Sequence, residues 1–146
     1  MAIRDTTKKP YIVDRDENIF IGIDLPFRKS DTGEGWFAST TTTIDAVKNN
    51  IRNLLLTNKG ERYIQPRLGL NLRRFLFEQF DEDAKSLIQS EILDTFSFWL
   101  PFVKIRDLKI SMDENDSIGK NKLKIFIAFN ITKDPNTLES VQVEVT

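Results

Sequence analysis

The sequence predicts an α+β fold in which two main helices pack on a small antiparallel sheet. Apolar residues recur at the helical period of about 3.6 in two segments in the middle of the chain. After Pro101 the apolar period changes to 2 over three successive segments, which predicts a C-terminal three-stranded meander. Helices followed by strands are typical of helices that cover one face of one sheet. An extended N-terminal arm, residues 1–40, precedes a single domain, residues 41–146.

The arm holds large apolar side chains but no pattern that would bury them. Isoleucines at alternate positions from 19 to 23 predict a short strand, and residues 29–35 are typical of a turn-forming loop. Two interpretations stay open: the apolar side chains fold back on their own domain, or some of them dock on a partner. The arm residues expected to make these contacts are Phe20, Phe27, Trp36 and Phe37.

The first helix is predicted from Thr43 to Thr57. Thr42 is the expected N-cap, and Asp45 lies close to the capping-box position. Asn58-Lys59-Gly60 is a stop signal in which Gly60 suits the left-handed C′ position. The predicted apolar stripe consists of Ile44, Val47, Ile51, Leu54 and Leu55, and the predicted solvated face consists of Lys48, Asn49, Arg52 and Asn53.

The second helix is predicted from Glu82 to Leu100. Asp81 is the expected N-cap, and the acids at 82 and 83 complement the N-terminal end of the helix dipole. Pro101 disfavours helical angles at the residue before it and so helps to end the helix. The predicted apolar stripe consists of Ala84, Leu87, Ile88, Ile92, Phe96 and Trp99.

Three strands are predicted after the second helix. A phase slip at Arg106–Asp107 in the first strand predicts a β-bulge. Residues 113–121 form a polar turn, and residues 134–136 (Asp-Pro-Asn) are expected to turn the chain again. The alternating apolar residues are Val103, Ile105, Leu108, Ile110 and Met112 in the first strand, Leu123, Ile125, Ile127, Phe129 and Ile131 in the second, and Val141, Val143 and Val145 in the third.

The last strand, Val141–Thr146, has no later segment in this sequence to pair with its outer edge. Exposed edges are normally blocked by Lys, Pro or a bulge, whereas Gln142, Glu144 and Thr146 block this one only mildly. The strand is either a short frayed edge or a docking edge to which another chain adds a strand through backbone hydrogen bonds.

The composition excludes several classes of function. The chain has 146 residues, a formal net charge of −1, no Cys and no His. Thiol nucleophiles, imidazole bases and Cys/His zinc sites are therefore excluded. The total charge does not indicate a nucleic-acid or membrane-surface partner. No apolar run approaches the roughly 20 residues of a membrane span, and the N-terminus lacks the apolar core of a secretory signal.

Carboxylates are the remaining route to catalysis, and the sequence gives them other roles. A glycosidase needs two carboxylates about 5–9.5 Å apart, one of them with a raised pKa. Glu61 stands beside Arg62, which predicts a surface ion pair, and the acids at 81–83 fit helix capping. A cell-wall hydrolase that uses Glu61 or Glu78 is kept as an alternative, and no catalytic residue is assigned.

A second run resembles a metal site only in part. Asp113, Asn115 and Ser117 match the first half of a calcium loop, but Ile118 stands where the loop needs Gly and Lys124 where it needs Glu. A hairpin turn is therefore predicted here. No metal-binding or cofactor-binding residue is assigned, and no cofactor is expected.

Basic and aromatic residues alternate in the connection between the two helices. This pattern can bind single-stranded nucleic acid through phosphate contacts and base stacking. The net charge disfavours that function, and Phe75, Phe77 and Phe80 are expected in the core, so nucleic-acid binding stays a lesser alternative. The cluster consists of Lys59, Arg62, Arg67, Arg73 and Arg74, with Tyr63, Phe75 and Phe77 between them.

The same connection resembles the baseplate-wedge and sheath-initiator family of contractile phage tails, which includes a baseplate component of type VI secretion systems. The matching elements are LLLTNKGER (54–62), then Pro66, Gly69, Leu72 and Leu76-Phe77-Glu78, and the resemblance extends over residues 44–131. The family commonly has Glu-Pro-Arg after an aromatic, whereas this chain has Trp99-Leu100-Pro101-Phe102. The residues assigned to the family scaffold are Lys59, Gly60, Glu61, Arg62, Pro66, Gly69, Phe77, Glu78, Trp99 and Pro101.

The resemblance implies a non-enzymatic structural subunit of the virion tail baseplate, assembled in the host cytoplasm. Implied partners are the tail sheath protein and other wedge, inner-baseplate or tube proteins in a sixfold arrangement, with no nucleic acid and no membrane. Some family members are described as lysozyme-like, but this sequence supplies no catalytic pair. Family members offer the first sheath ring a C-terminal strand, and the residues implied for that interface are Val141, Gln142, Val143, Glu144 and Val145.

Overall fold

The computed structural model describes residues 20–30, 36–113 and 121–146. The predictions made for residue 19, for the loop at 31–35 and for the turn at 114–120 lie outside these residues. The elements follow in the order β1 (Gly22–Ile23), β2 (Ser39–Thr40), α1 (Thr43–Leu56), a 3₁₀ helix (Leu72–Phe77), α2 (Glu82–Trp99), β3 (Val103–Asp113), β4 (Lys122–Ile131) and β5 (Asp134–Val145). The predicted α+β class, with two main helices and a C-terminal three-stranded antiparallel sheet, is confirmed.

Both predicted N-caps are confirmed. The Thr42 hydroxyl accepts a hydrogen bond from the backbone N–H of Asp45 at 3.2 Å and donates one to the Asp45 carboxylate at 2.6 Å. The Asp81 carboxylate accepts from the backbone N–H of Ala84 at 2.8 Å. Each cap satisfies a first-turn N–H that has no partner within the helix.

The end of α1 differs from the prediction. The helix ends at Leu56 and Thr57 is already extended, so Gly60 is too far along the chain to be the C′ residue. Gly60 does have a positive φ of +93°. It uses this conformation inside the following loop, where its N–H donates to the carbonyl of Pro66 at 2.8 Å.

The sheet has the strand order β3-β4-β5, with β4 in the centre. The register shifts between Ile105 and Asp107, which confirms the predicted bulge. The predicted turn at 134–136 is wrong, because Asp134 pairs with Ile131 and only residues 132 and 133 connect β4 to β5. Pro135 is tolerated within β5 because that strand is outermost.

The core lies between the helices and one face of the sheet. Helix α1 packs on β5, and α2 packs on β3. The largest fully buried side chains come from α1, the connection, the 3₁₀ helix, α2 and the central strand β4: Phe75, Phe96, Phe129, Ile51, Leu55, Leu70, Leu72, Ile88, Ile92, Leu123, Ile125 and Ile127. In the described part of the chain, no helix combines the length and apolar character that crossing a membrane requires.

Two residues predicted to be apolar core are exposed instead. The exposed fraction is 58% for Leu87 and 89% for Phe77. Helix α2 buries a narrow stripe that includes Ala84, Ile88 and Ile92, and Leu87 lies about 100° away from it around the helix axis. Phe77 is exposed because side chains three residues apart overlie one another in a 3₁₀ helix, so that the buried face holds residues 72 and 75.

The described part of the arm folds back on α1 through its backbone. Strands β1 and β2 pair with each other, and Asn49 Nδ2 donates to the carbonyl of Ile23 and to the Asp24 carboxylate, both at 3.3 Å. Arg52 Nη1 also donates to the carbonyl of Leu25 at 3.4 Å. The prediction that Asn49 lies on a solvated face is therefore wrong, because the returning arm covers it.

The large aromatic side chains of the arm are not buried, unlike the backbone contacts of the arm with α1. All four residues expected to make arm contacts are exposed, and the rings of Phe27 and Phe37 contact each other with centroids 5.6 Å apart. The described part of the arm thus combines a backbone that returns to its own domain with aromatic side chains that face solvent.

Candidate functional site

The outer edge of β5 is the first candidate interaction site. Strand β5 pairs only with β4 among the described residues, so no described strand lies along its outer edge. The side chains alternate along this edge, with Val141, Val143 and Val145 buried and Gln142 and Glu144 exposed. The predicted edge and its alternation are both present in the fold.

The valines of β5 are buried although the strand is outermost. Their exposed fractions are 2–4%, because α1 packs over the same face of β5. An ion pair between Lys48 Nζ and Glu139 Oε2, 2.8 Å apart, links the helix to the strand. Strand β5 is therefore held in place by α1, and its valines are buried without a further strand.

The opposite face of the edge carries one carboxylate without an ion-pair partner. Glu144 is exposed and lies opposite Lys124 in the register of β4. The Lys124 ammonium contacts the Asp113 carboxylate on β3, and Glu144 makes no ion pair with any residue the structure describes. A negative charge at the sheet edge is thus available to an incoming strand.

The connection between α1 and the 3₁₀ helix is fixed at Gly69. Its φ is +111°, and a Cβ placed on it would lie 2.2 Å from the carbonyl oxygen of Thr57. This close approach lets the N–H of Leu70 donate to the same carbonyl at 2.9 Å. Gly60, Pro66 and Gly69 all take part in the backbone geometry of this connection, and their assignment to the family scaffold stays a prediction.

Glu61 is bound by Asn58 and not by Arg62. Its carboxylate accepts from the backbone N–H of Asn58 at 3.0 Å and from the side-chain amide of Asn58 at 2.6 Å. The predicted Glu61–Arg62 ion pair is therefore wrong, and Arg62 Nη2 instead donates to Asn53 Oδ1 at 3.1 Å. The local geometry favours Asn58 over Arg62, because the Glu61 side chain, three residues later, can reach back to the N–H of Asn58 just after α1.

The electrostatics of Glu61 are opposite to those of a general acid. Hydrogen bonds from the Asn58 backbone N–H and side chain lower the pKa of the Glu61 carboxyl from its usual 4.5, and the charge of Arg73 acts in the same direction. A glycosidase acid needs a raised pKa. Glu78, the second carboxylate of the hydrolase alternative, is exposed.

Other scaffold residues have internal partners. Lys59 Nζ and Arg74 Nη2 both contact the Glu91 carboxylate, at 2.9 and 3.3 Å, which ties the connection to α2. Trp99 packs edge-on against Phe98 with ring centroids 5.0 Å apart. Pro101 is exposed. Nowhere in the described ranges do three or more acidic residues come together in a way that could hold a metal ion.

Sequence reasoning missed two exposed residues of the connection. Tyr63 is 99% exposed and Ile64 is 91% exposed. Tyr63 was considered only as part of the basic and aromatic cluster, and Ile64 was assigned no contact. A signal was present: both residues lie between the stop signal at Asn58–Gly60 and the breakers Pro66 and Gly69, so they belong to a loop. Large apolar residues in a short loop between two helices cannot join a helical stripe.

The comparisons with known proteins match this fold. A model of the family "Baseplate wedge protein gp25" matches residues 41–136, and a search of curated proteins found no significant match. A candidate tail lysozyme from Geobacter sulfurreducens is similar in structure, with a TM-score of 0.59, 20% sequence identity, and coverage of 71% of this chain and 90% of that one. A chain of the 6-fold symmetrised baseplate of the anti-feeding prophage gives a TM-score of 0.61 at 21% identity, with coverage of 78% and 86%.

The similarity to the two solved structures shows a shared fold, whereas the match to the family model shows family membership. It extends over about two thirds of the chain and contains both helices, the connection between them and the sheet up to the start of β5. The resemblance read from residues 54–78 is thereby confirmed. This chain belongs to the baseplate wedge protein gp25 family and is a structural component of a baseplate.

Proposed function

We propose that this protein is a non-enzymatic baseplate subunit of a contractile tail, and that it nucleates sheath assembly. In this proposal the outer edge of β5 accepts a β-strand from the first ring of tail sheath protein. The observation that supports it most directly is the position of β5 as the outermost strand, with no described strand along the outer edge of residues 140–145. Backbone hydrogen bonds along such an edge supply affinity for an added strand.

The edge is rigid enough to act as a template. The burial of its three valines under α1 and the Lys48–Glu139 ion pair fix the position of β5 before any partner arrives. An added strand would continue the sheet at a spacing of about 4.8 Å. Because little ordering is needed on this side of the interface, most of the entropic cost falls on the incoming strand.

The side chains of β5 specify the pattern of the incoming strand. Residues opposite Val141, Val143 and Val145 point toward α1 and should be apolar or β-branched. A residue opposite Glu144 should be Lys or Arg, since cross-strand pairs of opposite charge contribute roughly 0.2–1 kcal/mol. Glu139 already binds Lys48 on the inner face. The apolar part of the interface is therefore limited to residues 140–145, at the C-terminal end of β5.

The wider assembly is the remaining part of the proposal. The exposed arm residues Phe20, Phe27, Trp36 and Phe37 would contact other wedge, inner-baseplate or tube proteins. The division into an arm at 1–40 and a domain at 41–146 belongs to this proposal too. A sixfold arrangement in the virion tail baseplate is supported by the likeness to a chain of a 6-fold symmetrised baseplate.

A catalytic function is not part of this proposal. The lowered pKa of Glu61 and its hydrogen bonds to Asn58 favour a structural role for this carboxylate. A muralytic assay on the purified protein tests the alternative. Lysis of cell walls by the wild type, lost in both Glu61→Gln and Glu78→Gln, would contradict the proposal.

Strand addition is best tested by proline substitution in β5. Removing residues 141–146 is unsuitable, because it also deletes three core valines. Alternate residues of a strand point their N–H groups to opposite sides, so of Gln142 and Val143 one donates to β4 and the other points outward. Proline is tolerated only at the outward position. Both single variants are made, and Val143→Pro is compared with Val143→Ala because Val143 is itself buried. The proline variant that loses no more melting temperature than the alanine variant at its position is taken further.

The folded proline variant is used to complement particles that lack the wild-type protein. We expect baseplates that contain the variant and carry no sheath, because the edge has lost a donor and gained a ring that blocks the added strand. The alanine variant at the same position serves as the matched control, because it shortens the side chain but keeps the backbone N–H at the edge. Sheath of normal length on particles that carry the edge variant would contradict the proposal.

A further inference from the structure

The loop after α1 presents an apolar pair that the domain itself does not use. Tyr63 and Ile64 are 99% and 91% exposed, more than any other large apolar side chain described. They lie in the segment 62–67, here called the connector tip, with Arg62 before them and Arg67 after them. Single exposed apolar residues are common, but an adjacent pair at the end of one loop is a candidate contact surface.

The connector tip is held at its base. The N–H of Gly60 donates to the carbonyl of Pro66 at 2.8 Å, and the N–H of Leu68 donates to the carbonyl of Gln65 at 3.1 Å. The hydrogen bonds from Asn58 to Glu61 brace the same base on the side of α1. The loop is thus ordered by its backbone while its largest side chains remain in solvent. A preordered loop loses little entropy when it binds.

The charges around the pair are predominantly positive. Residues 59–74 contain five cations and one carboxylate. Lys59 and Arg74 share the single carboxylate of Glu91, and the one carboxylate within the segment, Glu61, is bound by Asn58. Arg62 contacts only the neutral Asn53 amide, and Arg67 has no ion-pair partner within the described ranges. The apolar pair is therefore flanked by two arginines whose charges are not compensated.

From this geometry we infer that the connector tip docks on another baseplate protein, at an acidic surface with an apolar recess. Tyr63 and Ile64 fill the recess, and Arg62 and Arg67 pair with carboxylates at its rim. Buried aromatic anchors and arginines are the residues that contribute most to protein interfaces. The inference rests on the baseplate role of the chain and is independent of strand addition at β5.

A nucleic acid is the other anionic partner, and the tip does not fit it well. Binding of single strands relies on successive aromatic side chains on which bases stack. The tip offers one aromatic ring, and its neighbour is a branched aliphatic residue with no stacking face. The next exposed aromatic in the connection, Phe77, is the last residue of the 3₁₀ helix, fourteen positions after Tyr63. An apolar recess in a protein accommodates both side chains of the pair.

The test uses the double variant Tyr63→Ser/Ile64→Ser in particles that lack the wild-type protein. Its melting temperature should stay within about 2 °C of the wild type, because both side chains are exposed. The amount of the variant retained in purified baseplates, measured by quantitative mass spectrometry, should fall at least roughly ten-fold. Leu87→Ser/Leu93→Ser is the matched control, since it removes two apolar side chains of α2 that are 58% and 44% exposed.

Two charge variants separate the arginines from the apolar pair. Arg62→Glu/Arg67→Glu should be lost from baseplates to a similar extent, whereas Arg62→Lys/Arg67→Lys should be largely retained because it keeps both charges. Wild-type retention of the double-serine variant, or equal loss of the α2 control, would overturn the inference. Steeply salt-dependent binding of a single-stranded DNA 20-mer, lost in the tip variants, would overturn it in favour of nucleic acid.

These outcomes are distinct from a failure of the proposed sheath function. Loss of docking leaves baseplates that lack this chain. Failure of strand addition at β5 would instead appear as normal sheath on particles that carry the proline variant.

Discussion

The substitution Gly69→Ala tests the packing of the connection most sharply. An alanine Cβ at this position would lie 2.2 Å from the carbonyl oxygen of Thr57 and 2.9 Å from its carbonyl carbon. Both contacts are with backbone, which cannot move aside as the end of a flexible side chain can. Gly60 supplies a matched control, because its φ is also positive, at +93°, and its Cβ would meet no atom within 4 Å.

The two glycines separate the cost of the conformation from the cost of the contact. A positive φ alone costs a non-glycine residue about 1–2 kcal/mol, and this is the whole effect expected for Gly60→Ala. At Gly69 the chain must also move away from Thr57, which weakens the Leu70–Thr57 hydrogen bond, worth about 0.5–1.5 kcal/mol net. It also disturbs the neighbouring Leu70, which is fully buried. We therefore expect Gly69→Ala to cost about 3 kcal/mol or more.

Urea unfolding followed by circular dichroism measures both variants against the wild type. Gly69→Ala should lower the free energy of unfolding by at least about 1.5 kcal/mol more than Gly60→Ala, with an unchanged m-value. In a chain of this length the extra loss corresponds to roughly 3–6 °C in melting temperature. Equal losses for the two variants, or a larger loss for Gly60→Ala, would refute the close approach of Gly69 to Thr57.

Three further predictions follow from single contacts. Asp81→Ala removes the N-cap of α2 and should lower the free energy of unfolding by about 1 kcal/mol in urea titrations. Glu61→Gln should make the melting temperature fall less steeply as the pH is lowered. The Glu61 carboxyl has a lowered pKa in the folded state, so it contributes stability above its unfolded pKa of 4.5. This contribution is lost as the pH falls through the folded-state pKa, and the Gln variant lacks it throughout. Asn49→Ala should speed trypsin cleavage of the arm about ten-fold, because two hydrogen bonds to the arm are lost.

Each of these three predictions would be contradicted by a specific experimental result. Asp81→Asn keeps a capping oxygen and should restore most of the stability, so an equal loss in both Asp81 variants would exclude capping as the cause. Parallel profiles of wild type and Glu61→Gln between pH 7 and 3 would show that the Asn58 contacts do not act in solution. Equal cleavage of Asn49→Ala and of Asn50→Ala, whose side chain is exposed, would contradict the contact between the arm and α1.

Features that depend on neighbouring residues could be predicted from the sequence. The caps at Thr42 and Asp81 use contacts within three residues, and the bulge in β3 is visible as a slip in a two-residue period. The family motif in the connection was also readable, because its glycines, proline and charged residues occur at fixed spacings.

Features that depend on distant segments could not be predicted in the same way. Asn49 looks solvated on a helical projection, and only the returning arm buries it. Leu87 and Phe77 have the residue type of a core, but the buried residues lie on other faces of their helices. The hairpin between β4 and β5 closes at residues 132 and 133 because the pairing of Ile131 with Asp134 overrides the turn preference of Asp-Pro-Asn.

The two candidate interaction sites differ in how far they could be predicted from the sequence. The edge at β5 follows from strand order alone, since the last strand of a meander is outermost. The exposure of Tyr63 and Ile64 is only partly readable in the sequence, because the breakers on both sides predict a loop but not the direction in which its side chains point.

The absence of cysteine from the sequence allows a direct measurement of the central claim. Gln142→Cys places a single thiol on the exposed side of β5, and Ser90→Cys places one on the exposed side of α2. Particles assembled with each variant are treated with a heterobifunctional thiol–amine reagent that spans about 8 Å, somewhat more than the roughly 4.8 Å between neighbouring strands. The account predicts a cross-link from position 142 to the sheath protein and none from position 90. Intact particles in which position 142 gives no sheath cross-link, or in which both positions give it equally, would contradict strand addition at β5.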